Sequence, residues 1–433
     1  MTTLDPTPSH ADAAVPLHAR SRSIPLSDAS DLLALLPVSA HDEVLSWVRK
    51  GEGVIGWGVA ASYETSGEDR FEAAERWWRE TADAAEVEDA VDQPGSGLVC
   101  FGSMAFAADS DIPSRLVVPE VVVGRRGRHA WVTTIAAADD PPASGTDERL
   151  GPQPEPAAPQ AVRFSDGELS AGSWAGAVDQ ALHRIADDEL DKVVLARSLD
   201  VDSDVDIDPR WILRRLAEDY DTTWVFAVAG IVGATPEMLV RLERGLVTSR
   251  VLAGTIRRTG DDSHDLALAG SLARSSKDLE EHEYAVRSVA DALAEHTSSM
   301  NVPEAPFVLH LNNVMHLATD VAGVVDDTST SLTLAASLHP SAAVCGTPTA
   351  VAGEVIAELE QMDRGRYAGP VGWMDAGGDG EWGIALRCGV FTSPRSLRLY
   401  AGCGIVAGSD TASEVAESDA KFLPMREALS PRG

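Results

Sequence analysis

Between residues 367 and 421 the sequence sets the Arg387 guanidinium, the Glu414 and Glu417 carboxylates and the Lys421 ammonium on or beside unusually bare strand-like runs. In the run 382–391, period-two alternation puts Gly383, Ala385 and Arg387 on one face. In the run 397–406, Gly402 and Gly404 share a face. Glycine weakens a strand interior unless something must approach the backbone closely. The next run is helical in pattern, and Glu414, Glu417 and Lys421, three and four apart, form one stripe. A bare floor, a fixed cation and a row of carboxylates suit a small anionic ligand held partly through a metal.

Other groups extend this chemistry. Asp278 and Glu281 are three apart in a helical run, with His282 beside them. With Glu414 and Glu417 they give two helices that each present carboxylates, a donor set suited to a hard divalent cation such as Mg²⁺. Lys192 opens an otherwise apolar strand, where it either reaches solvent or acts as a base. Glu237 follows Pro236 at the edge of the apolar run 238–242. A partly buried glutamate there holds its proton more tightly and can donate it. His316 sits in an apolar strand after Asn312 and Asn313. The loop 338–348, LHPSAAVCGTP, has small residues and two prolines fit to wall a ligand.

The elements that must position these groups follow from periodicity. Strands are expected at 53–60, 98–107, 116–123, 129–135, 192–199, 222–229, 238–242, 246–249, 314–325, 369–374, 382–391 and 397–406. Helices are expected at 28–36, 69–88, from 173 onward, and at 208–220 with Pro209 in its first turn. One long helix is expected over 263–295, with further helices at 331–338 and 350–362. Strands outnumber helices and adjoin as hairpins, which gives an α+β class with large antiparallel sheets covered by helices. Residues 1–20 read as a disordered tail and 21–138 as the N-terminal part of the fold. Residues 139–162, rich in Pro, Ala and acids, read as a linker or surface loop. The catalytic part is 163–430. No GxGxxG or GxxxxGK[ST] occurs, so no dinucleotide or phosphate loop is indicated.

The 433 residues suffice for a large core, and the net charge is −33. Nucleic acid and anionic membrane surfaces are excluded as partners for want of clustered Lys and Arg. No run reaches the length of a transmembrane helix, and the N-terminus lacks the apolar core of a signal peptide. Cys100, Cys345, Cys388 and Cys403 have no CxxC spacing and read as buried free thiols in a reducing cytoplasm. In so acidic a chain, an anionic substrate needs a strong local positive field.

Taken together, KVVLAR, GATPEMLV, LAGT, SKDLEEH, LHPSAAVCGTP, YAGPVGW, IALRCGVF and YAGCGIV with its ExxE helix occur in that order. This series, over 173–421, resembles the chorismate-utilising family of isochorismate, salicylate, anthranilate and aminodeoxychorismate synthases. The resemblance implies one αββα layered fold of the anthranilate synthase component I type, with the site in a cleft between its halves. It implies Mg²⁺ as cofactor on the ring carboxylate of chorismate, with Glu281 and Glu417 as nearest ligands and Asp278 and Glu414 in support. Arg387 and Lys421 would take the enolpyruvyl carboxylate beside the backbone of Gly402 and Gly404. Gly254, Thr255, His316 and Ala343 would complete the substrate site, with Lys192 as base and Glu237 as acid.

Within the family, Lys192 resembles members that activate water, and Ala343 aligns with an alanine of isochorismate synthases. The N-terminal part shows no clear version of the tryptophan-binding motif of anthranilate synthases. Isochorismate synthase, an isomerase, is the reading favoured, ahead of salicylate synthase and the aminating synthases. A chorismate-binding protein without chemistry is the reading of another class. The product is expected to feed menaquinone rather than siderophore synthesis. A cytoplasmic monomer is expected.

Overall fold

The computed structural model describes residues 16–138, 150–151, 153–310 and 314–430, without the side chains of Lys277 and Glu281. Among these residues two large sheets form. The thirteen-stranded sheet runs in the order Arg163–Asp166, Lys192–Asp202, Ser396–Val406, Cys388–Ser393, Ile231–Thr235, Trp224–Val228, Val44–Arg49, Glu52–Trp57, Val121–Arg126, His129–Ala137, Leu17–Ser23 and Glu86–Asp89. Gly346–Thr347 adds to Lys192–Asp202 at one edge. The ten-stranded sheet runs Thr297–Asn301, Val314–Val325, Leu246–Arg257, Met238–Glu243, Gly380–Ile384, Pro370–Asp375, Val99–Ser103, Ser114–Val118 and Ala61–Thr65, with Phe307–His310 on Val314–Val325. Every pairing is antiparallel except Leu17–Ser23 with Glu86–Asp89. The class is α+β, as the hairpin pattern implied.

Both sheets draw on the two sides of the stretch 139–162, so that stretch does not separate independent cores. Trp47 and Phe226 from the larger sheet share one apolar cluster with Phe101, Trp373 and Trp382 from the smaller. A second cluster joins the larger sheet to the helices Pro209–Asp219 and Thr411–Leu429 through Leu213, Leu216, Phe422 and Met425. The helix starts are written locally. Asp208 accepts from the backbone N–H of Arg210, Asp410 from that of Ser413, and Ser275 from that of Asp278.

Several expected elements are corrected. Residues 17–20 belong to a strand, because Leu17, Ala19 and Ser21 face inward in alternation. Residues 1–15 lie outside the described residues. The expected helix at 28–36 is two 3₁₀ turns, Leu26–Ala29 and Leu33–Leu35. The run 116–123 is two strands in different sheets, parted at Pro119, which has no N–H to give a ladder. The long helix is two, Asp262–Leu272 and Ser276–Ala294, because the Ser275 hydroxyl starts a new one. The strands Thr297–Asn301, Phe307–His310 and Ile231–Thr235 were not expected. The last pairs with Trp224–Val228 across Ala229 and Gly230, both with positive φ.

The run 382–391 carries the largest correction. It is two strands, Gly380–Ile384 in the smaller sheet and Cys388–Ser393 in the larger. Gly383, Ala385 and Arg387 therefore do not share a strand face. The space a side chain would need at Gly383 is taken by the Trp47 ring and the Glu237 carbonyl, each 2.9 Å from an added Cβ. That glycine serves packing between the sheets, not a ligand. Gly383→Ala should cost about 1–3 kcal/mol by overpacking, read as a lower urea midpoint with unchanged slope.

Candidate active site

The chain passes between the sheets twice at adjacent places. Thr235, Pro236 and Glu237 lead from Ile231–Thr235 to Met238–Glu243, and Ala385, Leu386 and Arg387 lead back. The crossings are tied together: Ile384 N–H donates to the Glu237 carbonyl at 3.1 Å, and Ala234 N–H to the Arg387 carbonyl at 3.2 Å. Glu237 N–H also donates to the Thr235 hydroxyl at 3.2 Å. Arg387 has φ 49°, the left-handed region, which costs a non-glycine residue about 1–2 kcal/mol. The two sheets hold it there and so aim its side chain.

A cavity of about 220 Å³ lies beside these crossings. Its size admits a small molecule. Lys192, Glu237, Gly254, Thr255, Asp278, His316, Ala343, Arg387, Gly402, Gly404, Glu414, Glu417 and Lys421 all line it. The Glu281 side chain lies outside the described residues. Sequence reasoning missed Arg364, Tyr367 and Tyr400, which also line the cavity. The RGRYAG run was a signal for the first two, but nothing in periodicity separates Tyr400 from a core tyrosine. Tyr367 and Tyr400 stack at 4.9 Å.

Lys192 is the first residue of its strand and pairs with Val406, while Val194, two residues on, pairs with Gly404. A Cβ at Gly404 would fall 3.0 Å from Lys192 Cε and 3.6 Å from Nζ. The bare position therefore lets the lysine stem lie across the sheet toward the cavity. Gly254 sits at a register shift between Ala253 and Thr255 with φ +75°, and a Cβ there would stand 3.2 Å from Asp278 Cβ. Glycine is needed for the bulge and for the approach of Asp278. The bulge sets Thr255 opposite His316, whose Nδ1 is 2.9 Å from the Thr255 hydroxyl. Buried His316 Nε2 has no hydrogen-bond partner among the described residues.

Burial pushes the Glu237 carboxyl up to about 7, although Lys192, Lys421 and Arg387 pull the other way. Burial also drives the His316 imidazole down to about 3, helped by Arg387 and Lys421, so the ring is neutral at physiological pH. Lys421 Nζ is 2.7 Å from Glu417 Oε1 and donates to the Gly402 carbonyl at 2.8 Å. Burial opposes charge on both partners. Even so, Lys421, Arg387 and His316 hold the Glu417 carboxyl below its ordinary range, and Cys403 and Glu417 hold the Lys421 ammonium above its own. Burial lowers the Arg387 guanidinium against the pull of Glu417 and two tyrosines.

The donor set fits a hard cation. Asp278 lies in the first turn of Ser276–Ala294 and Glu414 in that of Thr411–Leu429, and both carboxylates reach one cavity. Ligand atoms of Glu414, Glu417 and Cys403 lie within 4.8 Å of one another. The thiol is no match for Mg²⁺: burial pushes it up to about 12, and it donates to the Glu414 carbonyl. Carboxylate oxygens are what remain.

A family model described as chorismate binding enzyme matches residues 16–430. The isochorismate synthase DhbC of Bacillus subtilis is 38% identical over 328 residues, 73% of this chain and 77% of that protein. The solved structure of MenF, the menaquinone-specific isochorismate synthase of Escherichia coli, superposes with a TM-score of 0.80 over 96% of each chain at 25% identity. Anthranilate synthase component I of Streptococcus pneumoniae, 20% identical, shares the fold with a TM-score of 0.69 over 86% of this chain and 91% of that one.

The Glu237 shift predicts a pH signature. A carboxyl raised in the folded state binds more protons there than in the unfolded chain between its ordinary 4.5 and about 7. Stability contributed by this group therefore falls as pH rises through that window. Glu237→Gln should be more stable relative to the unmodified protein at pH 8 than at pH 4, measured by urea denaturation at both.

Proposed function

Because the chain belongs to the chorismate binding enzyme family, we propose that it is an isochorismate synthase. The observation that carries this reading is one cavity that brings together Lys192, a glutamic acid with a raised pKa and the cations Arg387 and Lys421. Chorismate is a dianion, and Arg387 and Lys421 supply the positive field that a chain of charge −33 otherwise lacks. Arg387 pairs with the enolpyruvyl carboxylate, beside Lys421 and the backbone of Gly402 and Gly404. Glu417, Glu414 and Asp278, with Glu281, would hold Mg²⁺, which when bound would offset substrate negative charge and polarise the ring.

Lys192 takes a proton from the water that adds at ring C2. Glu237, protonated for much of the time near neutral pH, gives its proton to the C4 hydroxyl as that group leaves. The ring double bonds shift, one water is taken up and one released, and the product is an isomer of the substrate. His316, neutral and oriented through Thr255, offers Nε2 to a substrate oxygen. Ala343 leaves the wall beside the enolpyruvyl group without a hydroxyl. A monomer is the state proposed, checked by light scattering. Menaquinone is the fate proposed for the product, with siderophore synthesis as the alternative. Cells without the gene should lose menaquinone.

Incubation with chorismate and Mg²⁺, followed by product separation, tests the reading. Isochorismate is expected. Salicylate with pyruvate, an aminated product or no turnover would each replace it. Lys192→Gln and Glu237→Gln should each lower kcat by about 10²–10⁴ while chorismate still binds in the presence of Mg²⁺ by calorimetry. Full activity in either variant would remove that residue from its role. With Glu237 as the acid, kcat/KM should fall as pH rises past about 7, the value to which burial raises its carboxyl in the free protein.

A further inference from the structure

The strand that begins with Lys192 is paired along its whole length on one side, from Lys192 with Val406 to Asp202 with Ser396. On the other side it is paired only at its ends, by Gly346–Thr347 at residues 192–193 and by Arg163–Asp166 at residues 199–202. Between them, no strand among the described residues covers its edge. Side chains do so instead. Ala196 N–H donates to Glu360 Oε1 at 2.6 Å, and the Val194 carbonyl accepts from Arg364 Nη2 at 2.7 Å.

Glu360 and Arg364 are themselves paired, Nε to Oε2 at 2.9 Å and Nη2 to Oε1 at 2.5 Å, and both are almost fully buried. The guanidinium has one more bond, from Nη1 to the Val344 carbonyl at 2.8 Å. Val344 follows Ala343 in the cavity wall. One rigid fork thus joins the strand of the proposed base to the loop that faces the enolpyruvyl group. Removing two charges from water is costly unless the remaining donors and acceptors are satisfied. Here the pair makes three bonds to the backbone of those two segments.

We propose that Arg364, held by Glu360, is a positioning residue that fixes the distance between Lys192 and the Ala343–Val344 wall, and so the place of the ring relative to the base. It rests on the reading of Lys192 as base. Lysine in its place keeps the cation but has no planar fork to bond both carbonyls at once. A displacement of about 1 Å between a catalytic group and its substrate costs roughly 10²-fold in rate.

The test compares the unmodified protein with Arg364→Lys and Glu360→Asp, the second shifting the guanidinium while keeping both charges. Melting curves establish that the assay temperature lies below each transition. The expected result is a fall in kcat of about 10- to 100-fold with KM for chorismate nearly unchanged. A kcat per folded molecule within about twofold of the unmodified protein, against the ~10²-fold that misplacement costs, overturns the proposal. Variants that lose activity only in proportion to their folded fraction, or do not fold at all, mark a purely structural pair and overturn it too. If the unmodified protein yields a product other than isochorismate, the functional reading fails, while the kcat comparison on that product still decides the role of Arg364.

Discussion

The paired crossings between the two sheets are the constraint on which the site depends. A chain can leave one sheet and enter another only where its ladder stops, and here two segments do so side by side. Each crossing frees a residue from strand geometry, and those residues are Glu237 and Arg387. The hydrogen bonds of Ile384 to the Glu237 carbonyl and of Ala234 to the Arg387 carbonyl lock the two together. The acid and the cation are therefore placed by the sheets and not by a loop, which is the support a precise site needs.

Electrostatics then depends on that placement. At the crossing Glu237 is enclosed enough for burial to outweigh three nearby cations, so its carboxyl rises instead of falling. Glu417 meets the opposite outcome in the same cavity, because Lys421 is in direct contact with it. Two glutamates of one site thus differ in protonation through the distance to a cation. A carboxyl that keeps its proton and a carboxylate that stays ionised follow from the same two causes, burial and pairing.

Much of this was legible before any coordinates. Gly404 was legible as a bare position, although the structure fills its space with the Lys192 stem. The spacing of Glu414, Glu417 and Lys421 put them on one helical stripe, and the i,i+4 pair of Glu417 and Lys421 is in contact. The misreadings also have physical causes. The run 382–391 is continuously apolar and strand-like, so nothing local marks the change of sheet at Ala385–Arg387. Arg364 went unnoticed because a buried arginine near a helix end has the same local pattern as a solvated one.

By itself the sequence determined which groups exist, their helical and strand periods, and the series of motifs shared with a chorismate-binding family. Those properties depend on residue type and on spacing along the chain. Tertiary structure alone decided that Arg387 stands between sheets, that Gly383 serves Trp47 and not a ligand, and that Glu360 and Arg364 complete the edge of the Lys192 strand. Each of these depends on segments more than a hundred residues apart meeting at a chosen register. Register is set by the summed burial of both faces of two large sheets, which no short window of sequence contains.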